Sequence, residues 1–121
     1  MKKILILGEA NIGKTTFLRN FYYVLLKIGA EEEYKEQVGE NEKDFIGFIK
    51  FGSKKICINT AGDQVNYIKK ALKQSKEKEC NILLSACQKG VYNMTTFPSK
   101  EEFICLDAKQ IEKAFTIITN I

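Results

Sequence analysis

Apolar positions along this chain fall into runs whose period changes from one stretch to the next. Residues 2–7 hold no polar position after Lys3, and such runs suit a central parallel strand covered on both faces. A helical period follows: Phe17, Phe21, Val24/Leu25 and Ile28 recur every three or four residues, while Arg19, Asn20 and Lys27 fall elsewhere. Gly29 is placed to stop that helix. Residues 30–44 then lose the pattern, carrying seven acids against Lys35 and Lys43. They are expected to form an exposed or poorly ordered connection.

Strand-like runs resume at 45–51 and 55–59, separated by Gly52-Ser53, and read as a β-hairpin. Thr60-Ala61-Gly62-Asp63 is a polar loop leaving the second of them. A second helix is predicted over 64–78, with Val65, Ile68, Leu72 and Ser75 at helical spacing and lysines opposite. Residues 81–87 form another apolar strand, 88–101 a loop with the sole proline, Pro98, and 103–106 a short last strand. Tyr92 and Phe97 in that loop are a candidate contact surface. A C-terminal helix over 108–121 uses Ile111, Ala114/Phe115 and Ile118.

Strands alternating with helices predict an α/β fold in a single domain, residues 1–121. The expected sheet is mainly parallel, of about five strands between helical layers, with one hairpin strand at an antiparallel edge. In such sheets ligands bind beyond the carboxyl ends of the strands. Residues 8–15, 59–63, 88–89 and 107–109 would gather there.

The strand–loop–helix at the start carries the sharpest chemistry. Gly8-Glu9-Ala10-Asn11-Ile12-Gly13-Lys14-Thr15 fits G-x-x-x-x-G-K-[ST] at every fixed position, in the strand-to-helix context the motif requires. This is the Walker A pattern, a P-loop. Successive backbone N–H groups in such a loop form a nest for phosphate oxygens, and the following helix adds its N-terminal donors. The candidate phosphate-binding residues are therefore Gly8, Glu9, Ala10, Asn11, Ile12, Gly13, Lys14, Thr15 and Thr16, with Gly62 from the later loop. Lys14 would reach the β- and γ-phosphates, and Thr15 would ligate Mg²⁺. Asp63, just past a strand end, is the candidate catalytic and metal-holding carboxylate. Its structural alternative is the N-cap of the second helix, for which aspartate is favoured. Asn59 reads as a turn-shaping side chain bonded to nearby backbone. The alternative to the whole motif is an ordinary strand–turn–helix with a solvated lysine.

Composition narrows the partners. Hydrophobic residues make up 45% and charged residues 28% of 121, and the formal charge is +4. Arg19 is the one arginine, and the lysines are spread along the chain. Nucleic-acid surfaces concentrate positive charge, so nucleic acid is not the expected partner. No apolar stretch is long enough for a membrane span. Gly8-Glu9 interrupts the N-terminal run too early for a signal peptide. Histidine is absent, and Cys57, Cys80, Cys87 and Cys105 show no C-x-x-C pair. That predicts reduced core thiols rather than zinc, in a soluble cytoplasmic protein.

With P-loop, hairpin and Asn59-Thr60-Ala61-Gly62 in that order, residues 1–75 resemble the Ras-like small GTPases. That family's second motif is Asp-Thr-Ala-Gly. The resemblance implies that position 59 holds Mg²⁺ through a water, that the Gly62 amide meets the γ-phosphate, and that Asp63 stands where a water-orienting glutamine is usual. Three departures are plain: Asn59 is neutral, no threonine lies between Thr16 and Thr60, and no Asn-Lys-x-Asp follows. The chain is also similar to a group of small, little-characterised bacterial P-loop NTPases. The residues carrying that similarity are Thr60, Gly62 and Asp63, and a strand ending in Ala86-Cys87-Gln88.

The expected ligand is ATP (or GTP) with Mg²⁺, slowly hydrolysed, with a protein partner to supply a missing arginine finger. Two alternatives stand beside it. One is a nucleotide-sensing or interaction module with little turnover. The other is a small-molecule or nucleotide kinase with the acidic 30–44 segment and the 88–101 loop around its acceptor.

Overall fold

The computed structural model describes residues 1–8, 14–40, 42–107, 110, 113 and 116, with the backbone alone for Lys14 and Thr15. The elements in chain order are β1 (Lys2–Gly8), α1 (Lys14–Lys27), β2 (Glu31–Gln37), β3 (Phe45–Phe51), β4 (Lys54–Asn59), α2 (Val65–Glu77), β5 (Ile82–Gln88), α3 (Lys89–Tyr92) and β6 (Ile104–Asp107). A 3₁₀ turn at Lys100–Glu102 precedes β6. Among the described residues no helix is long and apolar enough to cross a membrane. The helix predicted over 108–121 lies outside them, apart from residues 110, 113 and 116.

The six strands form one mixed sheet in the order β2-β3-β4-β5-β1-β6. β4, β5, β1 and β6 pair parallel, whereas β3 pairs antiparallel with both neighbours. The central strands β1 and β5 are the chain's unbroken apolar runs, buried from Ile4 to Ile6 and from Ile82 to Cys87. Alternation along them splits the core. Ile4, Ile6, Ile56, Ile58 and Leu84 pack under α1; Leu5, Cys57, Leu83 and Cys87 pack under α2 and α3.

Two expectations are corrected here. Residues 30–44 are not one loop, because β2 occupies most of the segment and makes a sixth strand. The antiparallel strand β3 is consequently internal, not at the edge. β2 has no apolar face of its own and is held by side chains from both helical layers. On one side Tyr22 donates to Glu32 Oε1 (2.6 Å), and Lys35 bonds the Tyr23 hydroxyl above the Phe45 ring. On the other, Tyr34 packs on Phe48, and Glu36 takes Lys70 (3.2 Å) and Gln74 (2.8 Å). A bulge at Glu33 resets which residue faces which layer.

The second correction concerns the phase of α1. Its buried stripe is Leu18, Phe21, Tyr22 and Leu25; Val24 and Ile28 are 46% and 59% exposed. The rotation follows from Tyr22, which packs on β3 where Gly47 leaves room. A Cβ at residue 47 would come within 2.5 Å of the Tyr22 ring. Gly29, at φ +115°, ends this helix as expected, with Ala30 N–H returning to Leu25 O.

Gly47→Ala therefore forces a ring fixed at mid-helix to move. An expected loss of about 1–3 kcal/mol would be read from urea unfolding. Stability equal to the parent would show that the Tyr22 contact does not set the helix phase.

Candidate functional site

Four parallel strands end at one edge of the sheet, in Gly8, Asn59, Gln88 and Asp107. Gly8 is the register partner of Gln88, and Leu7 that of Asp107. β1 is thus flanked by β5 and β6, and its connection leaves on the opposite side from that of β5. The point where strand order reverses is where a crevice opens in open α/β sheets. α1 begins at Lys14, just past the end of β1, so its N-terminus lies at this edge, with first-turn N–H groups that have no partner within the helix. Thr16 is exposed in the first turn. Glu9, Ala10, Asn11, Ile12 and Gly13, and the side chains of Lys14 and Thr15, lie outside the described residues.

The second motif is built around Asn59. Fully buried, it donates both amide hydrogens, to Ala61 O (2.9 Å) and Ser85 Oγ (3.0 Å), and accepts from Ala61 N–H (3.1 Å). Ser85 is its register partner on β5 and passes its own hydrogen to Ala86 O (2.9 Å). The amide is spent on shaping the turn and seaming β4 to β5. It does not present an oxygen to a metal-bound water.

Thr60, also fully buried, accepts from Phe45 N–H (2.9 Å) and lies 3.1 Å from Asp44 Oδ1, tying the end of β4 to the start of β3. Gly62 crosses β5 at close range: an added Cβ would lie 2.5 Å from the Ala86 carbonyl carbon and 2.6 Å from Cys87 N. Its carbonyl accepts Gln88 N–H (2.9 Å). Gly8, Gln88 and Gly62 consequently follow one another across the edge, with β5 between the two motif strands.

Asp63 comes next and is exposed. The N-cap of α2 is Gln64, with no side-chain capping bond, so Asp63 is not the helix cap and its carboxylate is not spent there. Asp44, from the β2–β3 connection, approaches it. Burial raises the Asp44 carboxyl above its ordinary range; Thr60 and Arg19 pull it down, and the Asp63 charge pushes it further up. Arg19 itself donates Nε–H to Lys43 O (3.3 Å). In sequence Asp44 is one more acid of the 30–44 stretch, and its one local signal is its position immediately before a strand start.

Other expectations change. Phe97 is buried between Tyr92 (5.2 Å) and Phe103 (5.7 Å), as core rather than contact surface. Cys57, Cys80 and Cys87 are buried, with burial pushing Cys80 up to about 11 and Cys57 well above its ordinary range. Cys105, on the edge strand β6, is exposed. Among the described residues no group of three or more His, Cys, Asp or Glu is arranged to hold a metal ion.

Compared with protein-family models, curated proteins and solved structures, the chain matches none.

Two outcomes follow from this geometry. Asn59→Asp, the residue of the GTPase motif, removes two buried donors and sets a charge against Ala61 O. It is expected to cost at least about 2 kcal/mol in chemical unfolding without tightening Mg²⁺ binding; a stable variant that gains Mg²⁺ affinity would refute this account of Asn59. Asp44→Asn keeps the acceptor for Thr60 and removes a charge the folded state disfavours. It should raise the melting temperature at pH 7, with the gain shrinking to nothing as the parent's Asp44 is protonated on acidification.

Proposed function

We propose that this chain binds a nucleoside triphosphate through residues 8–16 and, with Mg²⁺, hydrolyses it slowly. What carries the reading is one convergence. A Walker A sequence spans the step from β1 to the N-terminus of α1, at the edge where Gly62 and Asp63 also end. A P-loop NTPase-like, mainly parallel three-layer fold is part of the proposal. Its support is that β3 alone runs against the other five strands and that helices cover both faces of the sheet.

The chemistry is phosphoryl transfer to water, which depends on charge neutralisation and positioning more than on covalent help. Lys14 and the loop amides would bind and neutralise the β- and γ-phosphates. Thr15 and Asp63 would hold Mg²⁺, directly or through water. Mg²⁺ bound mainly by substrate phosphates and one or two protein groups needs no all-protein cage. It would supply neutralisation of the phosphate charge. Gly62, pressed on β5, fixes where the loop before Asp63 lies, and Asp63 would orient the attacking water.

Turnover would be slow. Asn59 is committed to the core, and the one arginine is bonded to Lys43 O. Those two observations also favour a second reading, a nucleotide-dependent interaction module whose partner supplies the missing cation.

Thermal unfolding with ATP, GTP, ADP and GDP, with and without Mg²⁺, tests the binding on parent and Lys14→Ala protein. A Mg²⁺-dependent shift lost in the variant is expected, worth about 2.7 kcal/mol at a hundredfold excess of ligand over Kd. No shift with any nucleotide would end the reading. Asp63→Ala should lower hydrolysis more than binding, and equal rates for variant and parent would remove Asp63 from the chemistry.

A further inference from the structure

Strand β2 differs from the other strands in what holds it. Each of the others contributes side chains to one or both halves of the core, and β2 contributes none. All its residues but Glu36 are exposed. Its apolar anchors stand just outside it, Ala30 buried on the α1 side and Val38 on the α2 side. Between them lie the backbone ladder to β3 and a set of surface contacts, each of a kind that is weak alone.

What matters is where those contacts end. Glu32 and Lys35 bond Tyr22 and Tyr23 on α1, and Glu36 bonds Lys70 and Gln74 on α2. Lys78, just past α2, stands 4.9 Å from the Tyr34 ring and 5.2 Å from that of Phe48. The two helices cover opposite faces of the sheet, so β2 ties them together around its margin. Beneath it, β3 does not depend on β2 for its place. Phe45 and Ile49 are buried under α1, Ile46 and Phe48 on the α2 side, and β4 pairs its other edge.

An extended strand fixed at both ends cannot lift away. Here Gly29, at φ +115°, supplies a hinge at one end, and seven residues separate β2 from β3 at the other. A segment with little buried apolar surface, weak side-chain ties and free ends is what opens below the global unfolding free energy.

We propose that β2 is a releasable strap: it leaves β3 as one unit while the rest of the sheet stays folded, untying α1 from α2 and baring the outer edge of β3. The strap stands whether or not the chain binds a nucleotide.

Native-state hydrogen exchange, followed by NMR in sub-denaturing urea on the protein without ligand, tests it. The β2 amides that face β3, and the β3 amides that face β2, should exchange at a common rate. That rate should depend on urea much less than the rates of β1 and β5, because less surface is exposed. Tyr22→Phe keeps the ring and removes the bond to Glu32. It should speed exchange about ten-fold along the whole strand, as far as Gln37. Ile4→Val, in the central strand, should speed β1 and β5 about five-fold and leave β2 unchanged. Melting curves report that both variants fold. A urea dependence of β2 equal to that of β1 and β5, or Ile4→Val speeding β2 as much as β1, would mean that β2 opens only with the whole molecule. Acceleration by Tyr22→Phe confined to the neighbours of Glu32 would mean local fraying. Any of the three overturns the proposal.

Discussion

The end of β4 depends on one buried side chain. Asn59 is fully buried, so each of its polar hydrogens needs a partner. It finds them on two different elements, Ala61 in its own turn and Ser85 on β5. A register slip between β4 and β5 would leave that amide unpaired, so the hydrogen bonds select the pairing as well as the turn. Once the turn is fixed, Gly62 is pressed against the β5 backbone and Asp63 emerges at the sheet edge. The chemistry proposed for that edge is positioned by a residue that takes no part in it.

Much of the fold was legible in residue order. The apolar runs of β1 and β5 announce central strands, Gly52-Ser53 sets the hairpin, and α2 keeps its period. What escaped was fixed by contacts across layers. β2 reads as a loop because strand signals are apolar and alternating, and its residues are neither. It is a strand because Tyr22, Lys70 and Gln74 satisfy the side chains it offers. The buried face of α1 departs from its apolar pattern by about one residue for a related reason. Phe17 and Ile28 lie on one helical stripe, but which stripe is buried is decided by the hole at Gly47, 25 residues from Tyr22 in sequence.

The candidate site divides along the same line. Walker A is a local pattern, visible in sequence because its glycines and lysine stand at fixed spacing. The second motif was legible in part. Asn59 reads as a turn-shaping side chain and is one, bonded to the Ala61 backbone, whereas its bond to Ser85 on β5 has no local signal, and of the two readings of Asp63 the helix cap falls because Gln64 takes that position. Asp44 could not be found locally at all, since its approach to Asp63 exists only once β2 and β3 have folded back onto the sheet. Resemblance at a few aligned positions therefore says less about a side chain than the partners that surround it.

The acidic stretch at β2 has a consequence for how copies of this molecule meet. A sheet margin displays a row of free backbone donors and acceptors, a template for another chain's strand. Here that margin carries Glu31, Glu32, Glu33 and Glu36 and is kinked at Glu33. A second copy docking there strand to strand would press glutamates on glutamates along a bent rail. The segment that looked like filler between two elements thus keeps the sheet finite: it is a terminus for self-assembly, written in charge.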